Sequence, residues 1–294
     1  MRLKELNEQY GIDGALEFQS EQHTEMAYIK TAYSTAKVSI YGAQVLSFIP
    51  KGKDDLLFVS SQSVYKEGKA IRGGIPVCWP WFNAHPTDST KPSHGFARIS
   101  RWEVLSTKKE GDEVVISLGL KSDDRTKDFL PYDFEAVLEV TVGKRLNVEL
   151  TTKNVDSKPF DVSAALHTYF NISDIATVKL RGLHKMAYKD DVLGIDALQE
   201  DEMVTFSGRT DRRYKETEAE VSIIDANKTI KVGKKGSKIT VVWNPGAELA
   251  SQMADLGKEN YKKMVCVESA NSLNDTITIQ PGTSHCLGTT IYSV

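Results

Sequence analysis

The sequence predicts an all-β protein, folded as one large antiparallel β-sandwich. Three observations point there: apolar residues recurring at every second position, turn residues spaced for hairpins, and a scarcity of helical periodicity. Phe134, Ala136, Leu138, Val140 and Val142 alternate with Glu135, Val137, Glu139 and Thr141, and Leu146, Val148 and Leu150 alternate with Asn147, Glu149 and Thr151. An extended chain sends successive side chains to opposite faces, so this pattern describes strands with one buried face.

The turn signals fit hairpins. Glu110-Gly111-Asp112 separates Trp102–Ser106 from Val114–Leu120, and Gly143-Lys144 separates the two alternating runs. The same reading predicts strands over Ala27–Thr31, Lys37–Tyr41, Gln44–Ile49, Leu56–Val59, Asp161–Thr168, Thr177–Leu180 and Glu218–Ile223. It predicts others over Thr229–Val232, Ile239–Trp243, Met264–Val267, Thr276–Gln280 and Gly288–Tyr292. Helical patterning is confined to Lys4–Tyr10 and to Tyr261–Lys263 with the residues before it. The polar segments Ala84–Pro92 and Gly233–Lys238 read as loops. Many short strands at regular spacing make a sandwich or barrel. With no internal repeat, low-complexity stretch or linker, residues 1–294 are expected to form a single domain.

The chain has 294 residues, of which 40% are hydrophobic and 26% charged, enough to bury a sizeable core. Its formal net charge of −3 gives no broad field for nucleic acid or an anionic membrane, so an anionic ligand must be met by local cations. There is no apolar run of about 18 residues, and Met1–Gly14 carries no signal-peptide core. A cytoplasmic monomer is the expectation. Cys78, Cys266 and Cys286 are far apart and lack metal-site spacing, so inert thiols are expected, with no disulfide framework and no metal.

Four segments depart from ordinary strand-and-turn patterning. Ile71-Arg72-Gly73-Gly74-Ile75-Pro76-Val77-Cys78-Trp79-Pro80-Trp81-Phe82 packs glycines, prolines and aromatics around one arginine. Such a run can hold an arginine beside an aromatic floor, or can plug the space between sheets. Ser93-His94-Gly95-Phe96-Ala97-Arg98 brackets a glycine between a histidine and an arginine, a spacing that by itself favours a structural histidine. In Ala164-Ala165-Leu166-His167-Thr168-Tyr169-Phe170-Asn171 a histidine interrupts an otherwise buried strand, with Ala165, His167 and Tyr169 on one face. A buried imidazole needs partners for its nitrogens, so His167 is either a satisfied core histidine or a working one. In Met264-Val265-Cys266-Val267-Glu268-Ser269-Ala270-Asn271, Glu268 follows an apolar strand, and parity favours its exposed end over a cavity. Thr210-Asp211-Arg212-Arg213 reads as a solvated polar turn. Together the four segments offer two histidines, two arginines and one carboxylate on a β scaffold.

These segments, with Trp243-Asn244-Pro245, resemble the signature runs of the aldose 1-epimerase superfamily, and within it the D-hexose-6-phosphate mutarotases. The resemblance runs in order over roughly residues 36–292. It implies a galactose-mutarotase-like sandwich with an open cleft on one face. It further implies that His167 is the general acid toward the ring oxygen and Glu268 the general base toward the anomeric hydroxyl. Arg72, His94 and Asp211 would bind or orient the sugar, and Arg98, with Arg72, would clamp a 6-phosphate. The implied substrate is a small sugar phosphate such as glucose 6-phosphate, and no cofactor is called for.

Mutarotation protonates the ring oxygen of a cyclic hemiacetal, removes the anomeric hydroxyl proton, and reverses both steps on the other carbonyl face. One acid and one base on opposite sides of the ring would serve, each contributing about 10²–10⁴ in rate. A histidine near its ordinary pKa of about 6.5 would be partly protonated, a glutamate near about 4.3 ionised, and a neighbouring carboxylate would favour the imidazolium of His167. Trp79, Trp81 and Phe82 would offer an apolar platform for the ring, or core. Two other readings stay open at this stage. One is a β-sandwich glycoside hydrolase or lyase working with Glu268 and Asp211 as paired carboxylates. The other is a non-catalytic sugar-phosphate-binding module.

Overall fold

The computed structural model describes residues 3–226 and 228–294. The alternating runs form the middle of a nine-stranded antiparallel sheet. Its order is Met203–Val204, Lys179–Arg181, Val221–Asp225, Lys228–Lys235, Ser284–Ser293, Leu146–Asn154, Phe134–Val142, Glu113–Lys121 and Glu103–Glu110. Leu138 stands between Leu118 and Leu150 in register, and the buried residues of Phe134–Val142 are those at every second position. Both hairpins form where the turn residues stand: Glu110 pairs with Glu113 across Gly111 and Asp112, and Val142 pairs with Leu146.

An eight-stranded sheet lies across the core. Its order is Ile195–Leu198, Ala187–Asp190, Thr210–Tyr214, Ile239–Asn244, Met264–Asn271, Ala164–Leu166 and Val77–Cys78, with Tyr169–Asn171 also paired to Met264–Asn271. Val242, Val265, Val267 and Leu166 enter the same apolar cluster as Leu118, Leu138, Val148 and Leu150 of the nine-stranded sheet. The opposite face of the eight-stranded sheet carries two small separate clusters, one with Cys78, Phe82, Ala165 and Val241, the other with Phe58, Tyr169, Leu256 and Cys266. This second face bears the candidate site. A four-stranded sheet, Leu16–Glu21 through Gln44–Pro50, precedes both.

Several expectations are corrected. Thr210–Arg213 is not a turn: Thr210–Tyr214 is a strand whose register sets Asp211 opposite Trp243. The strand expected over Asp161–Thr168 divides into Phe160–Val162 and Ala164–Leu166, and the chain leaves the ladder at His167, whose backbone N–H donates to the Pro76 carbonyl at 3.0 Å. Leu56–Val59 makes only isolated bridges, Leu57 to Phe170 and Val59 to Gly73. Of the loop expected over Gly233–Lys238, residues through Lys235 continue a strand. The strands Leu16–Glu21, Ala187–Asp190 and Ile195–Leu198 and the helix Gly246–Gln252 carry no clear periodic signal. The N-terminal helix, Leu3–Tyr10, lies where expected, and Asn260–Lys263 is a 3₁₀ turn.

Candidate active site

The site is built from backbone approaches that only small residues allow. Gly74 has φ of 62°, and a Cβ there would stand 2.2 Å from the Val45 carbonyl oxygen. Gly95 has φ of 73°, and its Cβ would stand 1.9 Å from the Trp79 carbonyl oxygen. Both positions therefore require glycine. The first lets the 71–78 segment settle beside the strand Gln44–Pro50, and the second presses the His94 segment against the Trp79–Pro80 backbone. Arg72 and His94 are fixed next to the eight-stranded sheet in this way. His94 accepts the Asn83 backbone N–H through Nδ1 at 3.1 Å, which assigns its own proton to Nε2.

His167 and Glu268 meet on the sheet's second face. His167 Nδ1 is 3.3 Å from Glu268 Oε1, and the two residues are 7% and 2% exposed. That Nδ1 and both Glu268 oxygens are buried with no hydrogen-bond partner among the described residues. Glu268 is thus corrected from the exposed strand end to the interior: the strand runs on to Asn271, and Glu268 sits opposite Val241 in the middle of the ladder. The Tyr169 ring stacks on the His167 imidazole, 4.8 Å between centroids and 10° from parallel. Parity had placed these two side chains together. The Trp243 ring meets His167 edge-on at 5.8 Å, and the His94 ring approaches it at 5.7 Å.

The arginines differ in their commitments. Arg72 donates from Nε to Asp255 Oδ2 at 3.1 Å, holds Nη2 2.9 Å from the same oxygen, and donates from Nη1 to the Tyr169 hydroxyl at 3.0 Å. Arg98 donates from Nη2 to the Ser93 carbonyl at 2.8 Å, while its Nε is buried and unpartnered among the described residues. The charge of Arg98 lowers the proton affinity of His94, His167 and Glu268 alike.

Burial dominates the electrostatics and works against the expected charge state. It holds His167 well below the usual imidazole range, assisted by His94, Arg98 and Arg72. It holds Glu268 well above the usual carboxylate range, assisted by Asp211 and opposed by Arg98. Both shifts disfavour the anticipated imidazolium–carboxylate pair, because burial takes both charges out of water. His94 is pulled down to about 3, first by burial and then by Arg98 and Arg72, and is neutral. Asp211 is pushed up to about 6, first by burial and then by Asp191, against Arg209 and Arg213.

Of the six expected residues, His94 and Glu268 contact His167, Arg72 reaches its stacking partner Tyr169, Asp211 sits opposite Trp243, and Arg98 acts on Glu268 through its charge. Of the two readings of the aromatic run, platform or core, the tryptophans take the core one. Trp79 and Trp81 are buried in the core, Trp79 against Phe134 and Phe96. Phe82 lies against His94, and Tyr169 and Trp243 flank the imidazole. Asp255 was missed, since it sits in the irregular stretch after the helix Gly246–Gln252, where no periodicity distinguishes it. Cavities of about 1130 and 760 Å³ lie elsewhere, the first against Leu16–Glu17 and Tyr28–Lys30, the second around Tyr41, Arg101 and Phe129.

The sequence pattern of the aldose 1-epimerase family matches residues 26–292. The chain belongs to the aldose 1-epimerase family. An Escherichia coli K12 protein named "Putative glucose-6-phosphate 1-epimerase" is 37% identical over 244 residues, 80% of this chain and 79% of that one. A Cenchrus ciliaris protein of the same name is 35% identical over 84% of this chain and 78% of its own length. Among solved structures, a Salmonella typhimurium protein titled a putative mutarotase superposes with a TM-score of 0.90 at 32% identity, covering 97% of this chain and 95% of that one. The sandwich is of the galactose-mutarotase-like kind, as the resemblance implied. The hydrolase and non-catalytic readings give way: the protein is an epimerase acting on a sugar. No helix among the described residues is long and apolar enough to cross a membrane.

Proposed function

We propose that this epimerase interconverts the α and β anomers of a hexose 6-phosphate, with glucose 6-phosphate the first candidate, and that His167 and Glu268 move the protons. The observation that carries the reading is the buried His167–Glu268 contact at 3.3 Å, whose facing nitrogen and carboxylate oxygens are without hydrogen bonds among the described residues. The ring oxygen and the anomeric hydroxyl are attached to one carbon, so the acid and base must act side by side. Adjacent groups on one face suit this better than groups on opposite sides of the ring.

The proton count then follows. His167 as imidazolium gives a proton to the ring oxygen while Glu268 as carboxylate takes one from the anomeric hydroxyl, leaving neutral imidazole and carboxylic acid beside the open-chain aldehyde. Reclosure on the other carbonyl face returns both protons. Burial shifts His167 down and Glu268 up, the direction that favours the uncharged groups present after ring opening. Neutral His94, carrying its proton on Nε2, and Asp211 would hold sugar hydroxyls. Arg98 would be the principal phosphate ligand, because Arg72 is already neutralised by Asp255 and tied to Tyr169, whereas Arg98 has, among the described residues, one carbonyl partner and an unpartnered Nε. A single domain fits this reading, since one apolar cluster runs from Leu6 to Ile291.

Two-dimensional exchange spectroscopy of glucose 6-phosphate, with unphosphorylated glucose beside it, tests the reaction. Faster anomer exchange for the phosphate sugar alone is expected; no acceleration of either sugar would refute the proposal. Replacing His167 by Asn should cut turnover by about 10²–10⁴ with the fold retained, and full activity would remove His167 from the chemistry. The Arg98→Ala variant should raise KM for the 6-phosphate about tenfold or more while changing glucose little, a loss of one charge-assisted contact. Equal effects on both sugars would mean that Arg98 does not touch phosphate.

A further inference from the structure

Cys266 stands two residues before Glu268 on one strand, so both side chains leave the same face of the sheet. It is fully buried and pairs across the ladder with Tyr169 on one side and Trp243 on the other. Ring opening makes no use of a thiol, and nothing in the proton count above involves Cys266. Yet one ligand atom each from His167, Cys266 and Glu268 can be chosen so that all three lie within 4.8 Å of one another. His167 Nδ1 and both Glu268 oxygens are buried without hydrogen bonds among the described residues. Their 3.3 Å separation is also that of a tetrahedral edge: two ligand atoms each about 2.0–2.1 Å from a tetrahedral ion stand about 3.3–3.4 Å apart. Imidazole nitrogen, thiolate sulfur and carboxylate oxygen are donors that zinc accepts, and soft thiolate favours thiophilic ions over Mg²⁺ or Ca²⁺.

We propose that His167, Cys266 and Glu268 form an inhibitory site for a thiophilic divalent cation such as Zn²⁺, at the two groups proposed above to move the sugar's protons. The ion takes the imidazole and the carboxylate out of proton transfer and occupies the place of the anomeric centre. Sugar and metal therefore exclude one another. Coordination by the thiolate and the carboxylate releases to solvent the thiol proton and any proton that burial keeps on Glu268. The site rests on the side-chain geometry, and its metal affinity is independent of whether the sugar is phosphorylated.

The test uses the full chain freed of metal by chelation and dialysis. Titration with Cd²⁺ should give one bound ion per chain with an ultraviolet thiolate-to-metal absorption band. Zn²⁺ should inhibit anomer exchange competitively with the sugar. Cys266→Ala should keep turnover within about twofold, lose the band, and raise the inhibitory Zn²⁺ concentration about tenfold or more, the scale of a damaged metal shell. Cys78→Ala should keep both band and inhibition. If Cys266→Ala fails to fold, Cys266→Ser, with a much weaker oxygen donor, carries the same expectation. Absence of the band in the unsubstituted protein, or a band and inhibition unchanged by loss of Cys266, would overturn the proposal. The Cd²⁺ band needs no turnover, so its presence or absence is separate from whether the protein is a hexose-phosphate mutarotase.

Discussion

The strands Phe134–Val142 and Met264–Asn271 are nearly the same length and sit in facing sheets, yet they are buried differently. In the first, buried and half-buried residues alternate strictly; in the second, every residue is buried. The first belongs to a sheet with one face on the core and one in solvent. The second is covered on both faces: Val265 and Val267 join the shared core, while Met264, Cys266 and Ala270 join small clusters on the other side. A strand with one wet face shows its structure in its sequence, since water selects its polar positions. A strand covered twice can place a glutamate where parity alone would call for exposure, and there the polar residue is held for chemistry rather than for solubility.

The largest expected effect tests that distinction. Glu268→Gln keeps the shape of the side chain and removes the proton acceptor, so turnover should fall by about 10²–10⁴. Its effect on stability should have the opposite sign. A carboxyl whose folded pKa is raised contributes stability below its unfolded value near about 4.3 and loses it as pH rises through the folded value. Above that window the folded state either gives up proton binding that the unfolded chain has already lost or holds a buried charge, and glutamine does neither. Denaturant unfolding at pH 8 should show the variant more stable than the parent, and a marked destabilisation would contradict the burial argument.

Leu138→Ala probes the other sheet. Leu138 is fully buried between Leu118 and Leu150, so the substitution should cost about 2–5 kcal/mol through lost transfer energy and a residual cavity. The folded fraction should turn over at the parental rate, because no site residue touches that position across the ladder. A variant that folds normally but has lost kcat would mean that the two sheets do not divide the work as described.

The same contrast explains what was legible in the sequence. The nine-stranded sheet could be read almost strand by strand, from Val114 through Leu150, because its alternation is a solvent signal. His167 stood out as a polar interruption, and its face-sharing with Tyr169 followed from period two. Thr210–Tyr214 was misread because Asp211, Arg212 and Arg213 form a polar run that resembles a loop. In the fold, two of these charges are paired across strands, Arg212 with Asp190 and Arg213 with Asp191. Such pairing depends on which strand lies alongside, which a local window does not contain. Asp255 was invisible for the same reason, and so was the depth of burial that shifts His167 down and Glu268 up.

Asp211 offers the smallest and sharpest test, since it belongs to a strand with one half-open face. Its carboxyl is pushed up to about 6 by burial and by Asp191. Below its unfolded pKa of about 3.9 the side chain is neutral in both states and costs nothing electrostatically. Between about 4 and about 6 the unfolded chain loses its proton and the folded chain keeps it, so stability declines with rising pH and levels off above about 6. Asn in its place removes that decline. The Asp211→Asn variant should match the parent near pH 4 and exceed it at pH 8 by on the order of 1–2 kcal/mol, a figure reduced from the full shift because the side chain is partly open to solvent. Urea unfolding at pH 4, 6 and 8 measures the difference directly. A gain that is the same at all three values would assign it to packing rather than to charge and would remove Asp211 as one of the forces raising the proton affinity of Glu268.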